Sequence, residues 1–169
     1  SGVRGTTHIG QNHLVTPSNN DDVIIKNCVF SGGRLDLGAT GIPANTNIKT
    51  INHLNVKNNR FINSGLQLSY SPNYKVLNNV FDGLDGLGFS DNFGSNGLIE
   101  QNQFSGWNQV FLARSDNITV NNNDACQSSG FGFSCVGHST IVGSGNKGIA
   151  YSRSECQWPV ESIQPCPQQ

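Results

Sequence analysis

The chain has 169 residues with a formal net charge of −1; only 35% of them are hydrophobic and 12% charged, while 23 are Asn, 20 Gly and 18 Ser. That length fits one domain, and that composition excludes an ordinary helical bundle, because Asn, Gly and Ser are poor residues for a helix interior. Plain disorder is excluded too, since nine Phe and well-spread Ile and Val argue for a packed core. With so little net charge there is no basic face, so no nucleic-acid partner is expected. No apolar run approaches the ~20 residues of a membrane span, so no membrane partner is expected either.

In chain order, residues 1–22 are expected to form an irregular or incomplete first coil. A repeat then sets in. Its first copy is Val23-Ile-Ile-Lys-Asn-Cys-Val-Phe30, and its second is Leu54-Asn-Val-Lys-Asn-Asn-Arg-Phe61. Copies follow at 74–81, 97–104 and 118–125, the last with Ala125 in place of the closing Phe, and a degenerate copy at 141–148. The sixth position of each copy is Cys28, Asn59, Asn79, Asn102, Asn123 and Asn146, at steps of 31, 20, 23, 21 and 23 residues. After each copy comes a small-residue turn and a second apolar–polar alternation, at 35–37, 66–69, 87–90, 110–113, 131–134 and 149–151.

A period near 22 with short β stretches and no helix signature predicts an all-β, single-stranded parallel β-helix of about six short coils. One coil cannot bury its own apolar face, but stacked coils share one narrow core. Strands stack ~4.8 Å apart, so each repeated Asn lies above the last. Asn tolerates the left-handed backbone of a tight bend, and its amide can bond its stacked neighbours into a ladder. Phe30, Phe61, Phe81 and Phe104 are expected to stack inside. The helix is expected over 1–153, with the Pro- and Cys-containing segment 154–169 as a C-terminal tail or cap. The long first step places an insertion at 38–49.

The five Cys are Cys28, Cys126, Cys135, Cys156 and Cys166. None forms a CxxC and no His sits at zinc-finger spacing, so no metal and no cofactor is expected. Cys126 with Cys135 and Cys156 with Cys166 can each close a short loop, leaving Cys28 as the odd one. Local disulfides point to an oxidising compartment, hence a secreted or cell- or virion-surface protein. A start at Ser1 reads as a mature product or an excised fragment.

The repeated Asn-Asn-x-Phe followed by Ser/Gly turns and an LxLxx strand resembles the right-handed parallel β-helix superfamily over residues 23–151. That superfamily includes pectate lyases, polygalacturonases, mannuronan epimerases and phage tailspike depolymerases. The resemblance implies a polysaccharide partner, held on the sheet formed by the second strands. On those strands Leu66, Leu68, Leu87, Phe89, Val110, Leu112, Phe131 and Phe133 read as inward. Arg34, Asp36, Gln67, Ser69, Gly88, Ser90, Phe111, Ala113, Gly132 and Ser134 read as outward, with Tyr70, Asp91, Arg114, His138 and Arg153 at the strand ends. The catalytic candidates are therefore Asp36, Tyr70, Asp91, Arg114 and His138. Asp91 and Arg114, 23 residues apart, are expected to share a corner.

Lyase chemistry needs a base and a group that neutralises a uronate. Arg114 fits either role, and His138 or Tyr70 can move the proton. Glycoside hydrolysis needs two carboxylates, for which Asp36 and Asp91 are the candidates. Arg34, Gln67, Trp107 and Arg153 are the candidate substrate-binding residues, Trp107 by stacking on a sugar ring. Of the polygalacturonase motifs only Gly137-His138 and a misplaced Asp21-Asp22, ahead of the wrong strand, are present, and there is no Asp cluster for a calcium-dependent lyase. The second reading is a non-catalytic adhesin or structural module of a larger fibre or tailspike, with homotrimerisation or upstream domains of a longer chain.

Overall fold

The computed structural model describes residues 2–3, 7–9, 20–38, 51–83, 88–152 and 155–167. Among the described residues the regular structure is β throughout, apart from one 3-10 turn at Val160–Ser162. Every strand pair is parallel, and each strand pairs with its counterpart one repeat away.

Three faces result. The first is a six-stranded sheet running from Ile24–Lys26 through Asn55–Lys57, Lys75–Leu77, Leu98–Glu100 and Ile118–Asn121 to Ile141–Ser144. Its inward column contains Val56, Val76, Ile99 and Val120, all fully buried. β-branched residues suit that column because their stiff side chains pack well on a pleated surface. The second face carries the closing position of each copy, Phe in the first four, and the third carries the second strands. Val29–Gly38 and Arg60–Ser69 are ten residues long and run through both. They join the second and third faces into one nearly closed sheet of thirteen strands. The arrangement is compatible with a parallel β-helix.

The predicted Phe stack is present. Phe30, Phe61, Phe81 and Phe104 lie with ring centroids 4.8, 4.6 and 4.9 Å apart, nearly parallel. Burying each is worth about 2 kcal/mol, and offset stacking adds a fraction more. The predicted Asn ladder is present too. Each side-chain oxygen of Asn79, Asn102, Asn123 and Asn146 accepts both the main-chain N–H and the amide of the Asn one repeat earlier, at 2.9–3.0 Å. Each amide also donates to a main-chain carbonyl of an earlier strand, as Asn102 does to Val76 at 2.8 Å. The ladder ends on Cys28, whose N–H donates to Asn59, and on the Ser162 carbonyl, which accepts from Asn146.

The left-handed bend is made one residue before the ladder. Asn27, Asn58, Asn78, Gln101 and Asn122 have φ between 53° and 57°. Two adjacent Asn thus divide the work: the first turns the chain and the second bonds inward.

Two expectations are corrected. The disulfides are Cys126–Cys166 and Cys135–Cys156, not the two short loops. Cys126 lies on the second face, in Asp124–Ser128, while Cys135 lies on the third, in Phe133–Val136, so they cannot meet. Both bonds instead tie the tail to the last repeats. Trp158 of that tail is buried edge-on against Phe133 at 5.5 Å, and Ile163–Gln164 pairs with Asn146–Lys147. Cys28 is the free thiol, and half-buried. Phe131 is not inward: it is 47% exposed and stacked on Tyr151 at 4.4 Å. Its neighbour Gly132 takes the buried place against Ala125, so the strand begins only at Phe133. Leu87, Arg153 and residues 39–50 lie outside the described residues.

Candidate functional site

Each repeat turns at left-handed corners, and two columns of them are filled as physical chemistry favours. Asp22, His53, Asn73, Asn96 and Asn117 form one, and Asn27, Asn58, Asn78, Gln101, Asn122 and Gly145 the other. Asn, Asp, His and Gly are the residues that visit φ > 0 most readily. The third column, where the third face ends, is different. It holds Tyr70 (φ 53°), Phe93 (φ 59°), Arg114 (φ 52°) and Gly137 (φ 70°). Bulky side chains in this conformation cost of order 1–3 kcal/mol each.

The three side chains stack on one another. The Tyr70 and Phe93 rings are parallel at 4.8 Å, and the Arg114 guanidinium lies over the Phe93 ring at 5.4 Å. Such a cation–π contact is worth about 0.5–1 kcal/mol at an exposed site. Gly137 is small for a reason: a Cβ there would come within 2.8 Å of Arg114 Cγ. Beyond the stack, Arg114, Gly137, His138 and Glu155 line a groove of about 510 Å³ with Asn92, Phe93, Ala113 and Val136. His138 Nε2 lies 3.2 Å from Glu155 Oε2, both side chains being exposed.

The groove therefore unites Arg114 and His138, with Tyr70 at the far end of the stack. Phe93 and Glu155 were missed from sequence. Phe93 carries a signal: Tyr70, Phe93 and Arg114 each stand nine residues before a ladder Asn, namely Asn79, Asn102 and Asn123. Glu155 carries none, because the tail's path is set by the disulfides.

The remaining candidates lie elsewhere. Asp36 and Gln67 occupy the outward column of the third face, in register with Ser90, Phe111, Ser134 and Tyr151. Asp36 is buried and held by Arg34, whose Nε and Nη2 donate to its two oxygens at 2.5 and 3.1 Å. Trp107 sits in the turn ahead of Gln109–Ala113 and is 60% exposed. Among the described residues no three His, Cys, Asp or Glu side chains group as metal ligands, and no helix is long and apolar enough to cross a membrane.

Asp91 is a correction. It pairs in register with Leu68 and Leu112, not with Arg114, and it points into the core with no exposed surface. Its Oδ2 accepts the Tyr74 hydroxyl at 2.9 Å, and Tyr74 is itself fully buried. A Cβ at Gly94 would run into the Asp91 carboxyl, and one at Gly97 into the Tyr74 ring, so two glycines make room for the pair. Burial pushes the Asp91 carboxyl up to about 7, the Tyr74 hydrogen bond opposing this only in part. Burial likewise raises the Tyr74 phenol well above its ordinary value. Asp91 is a core residue and cannot act on a polymer.

No family model matches the chain, and no curated protein or solved structure matches it. The two disulfides fit an extracellular, oxidising setting.

Proposed function

We propose that this protein is a right-handed parallel β-helix of about six coils, at work outside the cell or on a virion surface, that binds an acidic polysaccharide at the Arg114 corner. One observation carries the reading. At left-handed corners where the other two columns hold mostly Asn, this column holds Tyr, Phe and Arg. Their side chains, not their backbone preferences, account for that choice. Stacked rings fix the Arg114 guanidinium at the mouth of the groove, where it suits the carboxylate of a uronate.

Cleavage by β-elimination is the second reading, favoured by the His138–Glu155 contact. Glu155 orients the imidazole, His138 takes the proton next to the carboxylate and Arg114 neutralises the charge that develops; a C=C bond then forms as the bond from the β-carbon to the glycosidic oxygen breaks, and that oxygen leaves with a proton from the imidazolium or water. Hydrolysis by Asp36 and Asp91 is not supported, since one is held by Arg34 and the other is buried.

The test is calorimetric titration with polygalacturonate, alginate, xylan and a mixed-linkage β-glucan, with ultraviolet detection of unsaturated ends and a reducing-end assay. An acidic glycan should bind, and Arg114→Asn, which suits the backbone, should weaken binding about tenfold or more. If unsaturated ends form, His138→Ala should stop them and leave binding intact. Failure of both acidic glycans to bind, whether or not a neutral one does, overturns the proposal.

A further inference from the structure

The third face has a second rim. Trp107 and Arg114 stand just beyond opposite ends of one strand, Gln109–Ala113. Five residues at ~3.3 Å each span about 17 Å. At the Arg114 end both faces of the Phe93 ring are taken, because it lies between Tyr70 and Arg114. At the other end an aromatic surface is open. The Trp107 ring lies over Gly130, where a Cβ would be 3.7 Å from it, and the next residue, the exposed Phe131, stacks on Tyr151 of the following repeat. Between the rims the floor is mixed. It carries half-buried Phe111, Ala113, and Ser134 donating to Gln109 Oε1 at 2.8 Å.

We infer that Trp107, over Gly130 and so one residue from the exposed Phe131–Tyr151 stack, is a second sugar-binding subsite, so that a short oligosaccharide lies along the strand direction from Arg114 to Trp107. This rests on the proposal that the Arg114 corner binds glycan. The chemistry at the two ends differs. Arg114 selects an anionic sugar, whereas an open indole face takes the C–H face of any pyranose ring. Only a ligand long enough to cross the floor touches both.

The test uses oligomers of whichever acidic glycan binds, graded from dimer to octamer, titrated into the whole chain by calorimetry and tryptophan fluorescence. Affinity should climb about tenfold with length and then level off. Trp107→Ala should abolish the climb, so that long oligomers bind as weakly as the dimer, while Arg114→Asn weakens every length alike. Long oligomers should shift the emission to the blue, and Trp107→Phe should remove that shift, since Trp158 is buried. Binding that depends on Arg114 but not on length, or that ignores Trp107→Ala, overturns the subsite and leaves the Arg114 proposal standing. Absence of binding at any length overturns both.

Discussion

Two columns of side chains climb through successive repeats, and they do opposite things with the same backbone device. The buried column, Asn59 to Asn146, follows a left-handed residue and turns its amides inward, where they satisfy main-chain groups that the bend frees. The corner column, Tyr70 to Arg114, occupies the left-handed position itself and turns its side chains outward. In the first, residue type follows from the backbone's needs. In the second, it runs against them. The contrast separates what holds the stack together from what the stack presents.

The largest effect should come from the buried side, at Asp91, two residues ahead of Phe93. Below its ordinary value of 3.8 the carboxyl is protonated in both the folded and the unfolded chain. Between 3.8 and about 7 the unfolded chain releases the proton and the folded one keeps it, so stability falls as pH rises through that window. Above about 7 the loss is complete, at about 4 kcal/mol. Urea titrations from pH 4 to pH 8 should show this slope in the wild type. Subtracting the Asp91→Asn profile should isolate it. The double change Asp91→Leu with Tyr74→Phe should be flat over the same range, because it continues the Leu68 and Leu112 column and leaves no hydroxyl unpaired. A wild-type profile that matches Asp91→Asn would mean the carboxyl is ionised in the core.

Next in size is the ladder itself. Asn102→Ala removes the acceptor of the Asn79 N–H and amide and the donor to the Val76 carbonyl and to Asn123. Buried orphaned groups cost about 1–3 kcal/mol each, partly relieved by relaxation, so a loss of about 3 kcal/mol is expected in equilibrium denaturation. Asn102→Asp should also destabilise at neutral pH, since it places a carboxylate where an amide donates. A loss below 1 kcal/mol would mean that strand pairing alone carries the bend.

The fold was legible in the sequence because it is periodic. The sixth-position Asn and the closing Phe recur at steps near 22 residues, and stacking turns that period into contact. The site was legible only in part. Arg114 and His138 stand out as charged residues at strand ends, but Asp91 was drawn to the same place by its charge. The alternation of its own strand, Phe89-Ser90-Asp91, puts it inward with Phe89. The rule that charge lies outside failed because Tyr74 and two glycines provide a buried place for the carboxyl. The disulfide partners were not legible at all: short loops and long-range staples use the same cysteines, and only the path of the chain chooses between them.

The smallest effect on stability should come from the corner column, and its smallness is what sharpens the contrast. Phe93→Asn replaces a bulky residue at φ 59° by one that tolerates that backbone, and removes a ring that is 38% exposed. Relief of strain and loss of stacking on Tyr70 and Arg114 oppose each other at about 1 kcal/mol each, so the net change should lie within about 1 kcal/mol of zero. Glycan affinity should nonetheless fall, because Arg114 then loses the surface that holds its guanidinium at the groove. In the wild type Arg114→Lys should lower it too, since an ammonium lacks the planar face that rests on the Phe93 ring. If Phe93→Asn destabilises by as much as Asn102→Ala and leaves binding unchanged, the two columns are doing the same job, and the Tyr–Phe–Arg stack is packing, not recognition.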